Sequence, residues 1–294
     1  MVRFVAAPYP DAASPPWCDR RVTIPRPIDP NLPGELERFA VELAQGASAV
    51  VAAHGRGSLA VSSKSTVTDL VTAADRASEL WLAERIAAQR PTDAILGEEG
   101  AGSSGTSGVR WLLDPIDGTV NYVLGLPQYA VSVAAEVDGH VQAAAVCNAA
   151  SGELFRAHAG GGAYVGSARL RGPRLVELSR AVVGTGFSYD AGQRARQGAV
   201  VSALLPRVGD IRRLGSASLD LCAVAAGRLD AYFEAGLQPW DYAAGVLIAT
   251  EAGCAASGLG QRPPSAQFTA VAAASLSADL FGLLEELGAD TVSS

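Results

Sequence analysis

The chain has little of the material from which redox, zinc or histidine chemistry is built. Its four cysteines, Cys18, Cys147, Cys222 and Cys254, are scattered without a CxxC pair. That excludes a zinc ribbon and a dense disulfide framework, and it suits a reducing cytosol. The three histidines, His54, His140 and His158, lie far in sequence from the acidic clusters, so a histidine-rich transition-metal site has little to build on. No run reaches the about 18 unbroken apolar residues of a membrane span, and the N-terminal stretch lacks the sustained apolar segment of an export signal. A cytoplasmic protein with no membrane partner is expected. Positive charge is also short, with 23 Lys and Arg against 30 Asp and Glu and a net charge of -7. A broad electrostatic grip on nucleic acid is therefore not expected. Acidic oxygen ligands are what remains.

Apolar residues make up 49% of the 294-residue chain, ample for one large domain or two of ordinary size. Eight of the sixteen prolines fall within residues 1–33, a density that disfavours helix and strand pairing and predicts an irregular arm. Residues 35–53 then carry apolar positions at helical spacing. A second helix follows Thr72, with Asp75 three residues on in a capping-box pattern, and stops at Pro91. There the period changes. DAILGEEG and VRWLLDPIDG are short apolar strands that run into acids and glycine, and residues 129–171 alternate as an antiparallel meander. After residue 178 strands and helices alternate, which predicts an α+β subdomain over 34–177, an α/β subdomain over 178–294, and two sheets.

The stretch WLLDPIDGTVNY, residues 111–122, fits a tight turn, and it also fits a metal site. Glu98, Glu99, Asp114, Asp117 and Asp241 all stand near expected strand ends or helix starts. Acids converging on one point repel by several kcal/mol unless a cation sits among them. Magnesium is the natural candidate, a hard ion that takes oxygen ligands and completes its shell with water and phosphate. An extended strand end in DPID would let Asp114 and Asp117 point to one side and free the Ile116 carbonyl as a further ligand. Gly118 and Thr119 would open a short helix whose N–H groups suit an anion. Singly, each feature has an ordinary alternative: Asp117-Gly118 a turn, Asp241 an N-cap, Asp75 the acid of its capping box, GEEG a solvated loop, Glu234 a polar strand end.

Taken together and in order, KSTVTDLVTAAD (64–75), GEEG (97–100), WLLDPIDGTVNY, LGSASLDLCAVAAGRLDAYFE (214–234) and WDYAAGVLIATEAG (240–253) resemble the signature blocks of the inositol monophosphatase family. These are magnesium-dependent, lithium-sensitive phosphatases. The resemblance implies a layered αβαβα sandwich, of mixed α+β and α/β type and like that of fructose-1,6-bisphosphatase, and a homodimer. It implies that Glu98, Asp114 and the Ile116 carbonyl bind one magnesium, that Asp114, Asp117 and Asp241 bind a second, and that a third, weaker ion uses Glu98 and water. Asp75, Thr119 and Glu98 would be catalytic, the first two polarising the attacking water, with the N–H groups of Gly118 and Thr119 on the phosphate. Lys64 would lie on a loop near the metals. On the substrate side the resemblance implies Asp117, Gly215, Ser216, Ala217, Glu234 and Asp241. Glu99 either supports Glu98 or acts directly, since adjacent carboxylates seldom ligate one ion equally. Val120, Tyr122 and Cys254 depart from the family pattern, and none is an expected ligand.

The substrate expected is a small phosphorylated polyol, myo-inositol 1-phosphate first. Histidinol phosphate, fructose 1,6-bisphosphate and 3′-phosphoadenosine 5′-phosphate are the alternatives within the fold. A non-catalytic regulatory protein is the alternative of a different class, and the presence of every expected ligand acid argues against it.

Overall fold

In the computed structural model, which describes residues 29–54, 62–63, 70–260 and 262–291, the first element is helix α1, Leu32–His54. Leu32 and Pro33, expected in the irregular arm, open this helix instead. Proline suits its first turn, where an N–H would have no helical partner. The arm up to residue 28, and Lys64, lie outside the described residues. Short strands β1 (Ser62–Ser63) and β2 (Leu70–Val71) pair antiparallel, and α2 runs Ala73–Gln89.

Eight strands make the first sheet: β3 (Ala94–Gly97), β4 (Gly102–Ser103), β5 (Val109–Asp117), β6 (Ala130–Val137), β7 (His140–Asn148), β8 (Leu154–His158), β9 (Gly162–Val165) and β10 (Ala168–Arg169). Their order is β10-β9-β8-β7-β6-β5-β3-β4, and only β3 and β5 run parallel. Helix α3 (Thr119–Leu124) follows β5 directly. The second sheet holds β11 (Val182–Thr185), β12 (Asp210–Arg212), β13 (Ala231–Glu234), β14 (Ala255–Ser257) and β15 (Thr269–Ala272), in the order β12-β11-β13-β15-β14. Between its strands run α4 (Ala191–Leu204), α5 (Ala217–Ala225) and α6 (Pro239–Glu251), and α7 (Ser277–Glu286) follows the last of them. Strands β4, β10 and β14 were not expected; at two or three residues each they are too short to leave an alternation.

The alternation of side chains along each strand assigns the layers. On β5, Trp111 and Leu113 join Val131 and Val133 of β6 and the apolar stripe of α1, whereas Leu112 faces the other way, toward α5 and α6. On β13, Tyr232 meets that same helical layer, while Ala231 and Phe233 face Leu204 of α4 and Leu280 and Leu284 of α7. The result is five layers: α1 and α2, the eight-stranded sheet, α5 and α6, the five-stranded sheet, α4 and α7. A helix between two sheets is covered on most sides, which is why α5 is buried along its whole length and apolar almost throughout.

Strand β5 has one irregularity, and it falls within the acidic motif. Asp114 pairs with Ser132 and Asp117 with Ala130, so three steps along β5 match two along β6. Residues three apart on a regular strand point to opposite faces. The extra residue is a β-bulge, and it returns Asp117 to the face that carries Asp114.

At the other end of β5 a buried carboxylate ties the sheet to its loop. Asp93 accepts hydrogen bonds from Trp111 Nε1 at 2.9 Å and Ser107 Oγ at 2.7 Å and pairs with Arg90. Asp93→Ala leaves the buried indole N–H without its acceptor, and the expected loss is about 2–3 kcal/mol of stability, read from the midpoint of urea unfolding.

Candidate active site

Four backbone devices bring the acids to one place. The first is the parallel register of β3 and β5, in which Gly97 stands beside Leu113 and the Glu98 N–H donates to the Leu113 carbonyl at 3.2 Å. Glu98 and Asp114, the next residues on each strand, are thereby set side by side. The second is the bulge, which adds Asp117. The third is Ser132, opposite Asp114 on β6, whose hydroxyl donates to the Trp240 carbonyl at 3.0 Å and so fixes the start of α6 beside β5. Asp241 follows. It lies inside the first turn of α6, which starts three residues earlier than the sequence pattern indicated, and it accepts from the Gln238 N–H at 2.7 Å rather than serving as the N-cap itself.

The fourth device is Gly118, which ends β5 and caps α3 with φ at 93°. A Cβ there would lie 2.8 Å from the Gln128 carbonyl, so the position is closed to other residues by backbone angle and by space. The sharp turn swings Thr119 back toward α2. Its hydroxyl lies 3.1 Å from Asp75 Oδ1 and 3.0 Å from the Ile116 carbonyl. Asp75 meanwhile accepts from the Thr72 N–H through Oδ2 at 2.8 Å, so it completes its capping box with one oxygen and holds Thr119 with the other.

Glu98, Asp114, Asp117, Thr119 and Asp241 line one cavity of about 500 Å³, together with Ile116 and Gly118. Gly215, Ser216, Ala217 and Glu234 line the same cavity, the first three against Asp117 and Gly118. Asp75 stands behind Thr119, wholly buried, and Glu99 is not part of the lining. All the described site residues expected from the sequence except Glu99 thus either face this cavity or touch a residue that does.

Asp117 is also bound to the first turn of α5. It accepts from Ser216 Oγ at 2.7 Å, the Ala217 N–H at 3.2 Å, the Ser218 N–H at 2.7 Å and the Ser218 hydroxyl. The carboxylate thereby joins the two sheets' helical layer to the end of β5. Ser218 was not expected from the sequence, nor was Asn121, whose amide spans the Gln128 and Leu214 carbonyls at 2.7 and 2.8 Å and fixes the chain before Gly215. The contacts to Leu214 and from Ser218 join segments about a hundred residues apart, and no local pattern carries them.

The electrostatics are those of a site short of positive charge. Burial, followed by the charges of Glu98, Asp117 and Asp241, holds Asp114 well above the usual carboxylate range. Asp241 is raised well above it too, by burial and then by Asp117 and Glu98. Burial raises Asp117 despite the opposing hydrogen bonds from α5. Buried, mutually repelling carboxylates with a backbone carbonyl among them are the donor set of a hard divalent cation. Among the described residues no three acidic, cysteine or histidine side chains are by themselves gathered so as to hold a metal ion. An octahedral ion on this open wall would complete its shell with water and ligand oxygen, as magnesium commonly does.

At the far side, Tyr232 donates its hydroxyl to Glu234, and burial pushes Glu234 up to about 7 against the pull of Tyr232 and Arg213. Beneath lies Asp220, 1% exposed, with an Oδ1 that no described group satisfies. Burial first, then Asp117 and Glu234, push it up to about 8.

Comparison with known proteins identifies the family and the fold. The family model described as the inositol monophosphatase family matches residues 33–289. An inositol-1-monophosphatase from Mycobacterium leprae is 47% identical over 245 residues, 77% of this chain and 84% of that protein. A protein named Nus factor SuhB from Salmonella typhimurium is 40% identical over 218 residues, 73% of this chain and 82% of its own. The solved structure of Mycobacterium tuberculosis SuhB superposes with a TM-score of 0.75 at 42% identity, covering 88% of this chain and 99% of that one.

Asp220 yields a direct check on the electrostatics. Its carboxyl sits at about 8 in the folded protein against an ordinary 3.8, so it costs nothing below the lower value and increasingly favours the unfolded chain as pH rises to the upper one. In protein stripped of divalent ions, Asp220→Asn is expected to raise the melting temperature most at pH 8 and hardly at all near pH 4. A difference between variant and parent that is the same at both pH values contradicts the assignment.

Proposed function

The chain belongs to the inositol monophosphatase family of phosphatases, and we propose that it hydrolyses the phosphate monoester of a small polyol, myo-inositol 1-phosphate first, with magnesium as its cofactor. The observation that carries this reading is the convergence of Glu98, Asp114, Asp117 and Asp241 on one cavity wall with the Thr119–Asp75 pair at its base.

Glu98, Asp114 and the Ile116 carbonyl would hold one ion, and Asp114, Asp117 and Asp241 a second, with Glu98 and water at a weaker third. Magnesium, when bound, supplies neutralising charge for the phosphate oxygens and makes a water more acidic. The chain supplies the rest. Thr119, with its own proton directed at Asp75 Oδ1, has lone pairs left to accept an O–H of the attacking water. That contact turns the water oxygen toward phosphorus and lets its proton pass toward the Thr119–Asp75 pair. As the new P–O bond forms, the ester P–O bond opposite it breaks, and the departing alkoxide takes a proton from a solvent water to leave as the alcohol, the proton shed by the Thr119–Asp75 pair to solvent restoring the balance. The N–H groups of Gly118 and Thr119, at the turn into α3, are proposed to hold the phosphate in line. No side chain need be esterified, so positioning and charge do most of the work.

The alcohol would be read across the cavity. Glu234, braced by Tyr232, would meet a ring hydroxyl, and Gly215, Ser216, Ala217 and Asp117 would frame the ring. A hydroxylated ring offers O–H donors to the Glu234 carboxylate in that wall. The relatives named as a Nus factor raise a regulatory role, but the complete set of acids and the intact Thr119–Asp75 pair favour catalysis here.

The test is a phosphate-release assay across inositol 1-phosphate, histidinol phosphate, fructose 1,6-bisphosphate and 3′-phosphoadenosine 5′-phosphate, with and without magnesium. Inositol 1-phosphate is expected to rank first, and Asp114→Asn to lower the magnesium-dependent rate by about 100-fold or more. Release unchanged in that variant overturns the mechanism, and a higher rate on histidinol phosphate overturns the substrate.

A further inference from the structure

Helix α2 turns one face toward the acids, and that face makes contact at three points with the two segments that carry them, the end of β5 and the loop after β3. Asp75 reaches Thr119, Ser78 donates its hydroxyl to the Pro115 carbonyl at 3.2 Å, and Glu79 grips the loop that carries Glu98. Positions 75, 78 and 79 are i, i+3 and i+4, neighbours on one helical stripe. Asp75 has a part in the reaction proposed above. Glu79, which no sequence motif singled out, has none so far.

Glu79 is 5% exposed. Its Oε1 accepts from the Glu99 N–H at 2.8 Å and its Oε2 from the Ala101 N–H at 3.0 Å. It is not part of the cavity lining. Its two oxygens are thus directed at the loop backbone and away from any ion on the cavity wall.

The grip determines where Glu98 points. A peptide group is planar, so the backbone angles of a residue are set once the planes on both sides of it are fixed. The plane before Glu98 is anchored by its own N–H on the Leu113 carbonyl of β5. The plane after it is anchored by the Glu99 N–H on Glu79. With both planes held, the Cα–Cβ bond of Glu98 has one direction, toward Asp114 and the cavity. The loop is closed behind it by the Gly97 N–H on the Ala101 carbonyl at 2.7 Å. Gly97 belongs to the same device: a Cβ on it would lie 2.1 Å from Glu79 Oε1, so only glycine lets the carboxylate come this close.

We propose that Glu79 is a positioning residue of the phosphatase, presenting Glu98 to the magnesium site by holding the peptide plane between Glu98 and Glu99. This rests on the assignment of Glu98 as a magnesium ligand made above. Glutamine at 79 keeps the length but replaces one acceptor oxygen with a donor amide, which must face one of the two loop N–H groups. The peptide plane is then released.

The full-length protein and two variants, Glu79→Gln and Gly97→Ala, are titrated with Mg2+ alone by calorimetry. Their melting temperatures are read without the ion, and their phosphate-release rates as a function of Mg2+. Both variants are expected to bind Mg2+ about 10-fold more weakly or worse, with kcat recovering toward the parent value when the ion is raised to saturation. A purely structural role would lower the melting temperature and leave the Mg2+ affinity of the folded protein alone. A folded Glu79→Gln that binds Mg2+ within twofold of the parent overturns the proposal. If that variant does not fold, Gly97→Ala decides by the same criterion, because it disturbs the same contact from the loop side with Glu79 intact. A parent chain that takes up no Mg2+ overturns the assignment of the metal site, and this proposal with it.

Discussion

The arrangement depends on one surplus residue in β5. Without the bulge between Asp114 and Asp117, two carboxylates three positions apart would face opposite sides of the eight-stranded sheet, one toward α1 and α2 and the other toward α5 and α6. With it, both face the inner helical layer. Ser132 on β6 is opposite Asp114 and holds α6 by the Trp240 carbonyl, so Asp241 is positioned from the same rung of the ladder. Glu98 comes from the neighbouring parallel strand at the same level. The local change in pleat thus completes a group of acids whose other members are placed by the β3–β5 register and by the Ser132–Trp240 contact.

Gathering those acids has a cost, visible in how far burial and mutual repulsion raise Asp114 and Asp241. The fold offsets part of it with helix N-termini. Asp75 occupies the first turn of α2, Asp241 the first turn of α6, and Asp117, from outside, accepts the first-turn donors of α5. Each of these ends carries unpaired N–H groups and a partial positive charge, which favour a carboxylate. The remaining repulsion is what a bound cation would relieve.

This dual use explains why the ordinary readings of Asp75 and of the Asp117-Gly118 turn hold without excluding the functional roles proposed for them, whereas Asp241 proves to lie inside the first turn of α6 and not at its N-cap. Asp75 is the acid of a capping box through Oδ2 and the partner of Thr119 through Oδ1. The Asp117-Gly118 pair is a turn, and the same turn directs Thr119 into the cavity. A carboxylate has two oxygens and several lone pairs, so capping and catalysis need not compete for it.

Much of the protein was legible in the residues alone. The order of helices and strands followed from apolar period and from punctuation by Gly, Pro and Asp, because these act over a few residues. The acids, Thr119 and the glycine turn stood out because a cation site needs many oxygens in a short span. Other features could not be read that way. The start of α1 at Leu32 and of α6 at Pro239 was hidden by proline, which local rules treat as a breaker although it suits a first turn. Glu79, Ser78, Ser218 and Asn121 resemble any polar residues on a helix, since what they do depends on a partner between 7 and 101 positions away. The sequence by itself determined which groups are available and the local turn that joins two of them. Only the tertiary structure decided that they meet, because the register of β3 on β5, the bulge against β6 and the contact of α2 with the GEEG loop are choices among distant pairings that no short stretch encodes.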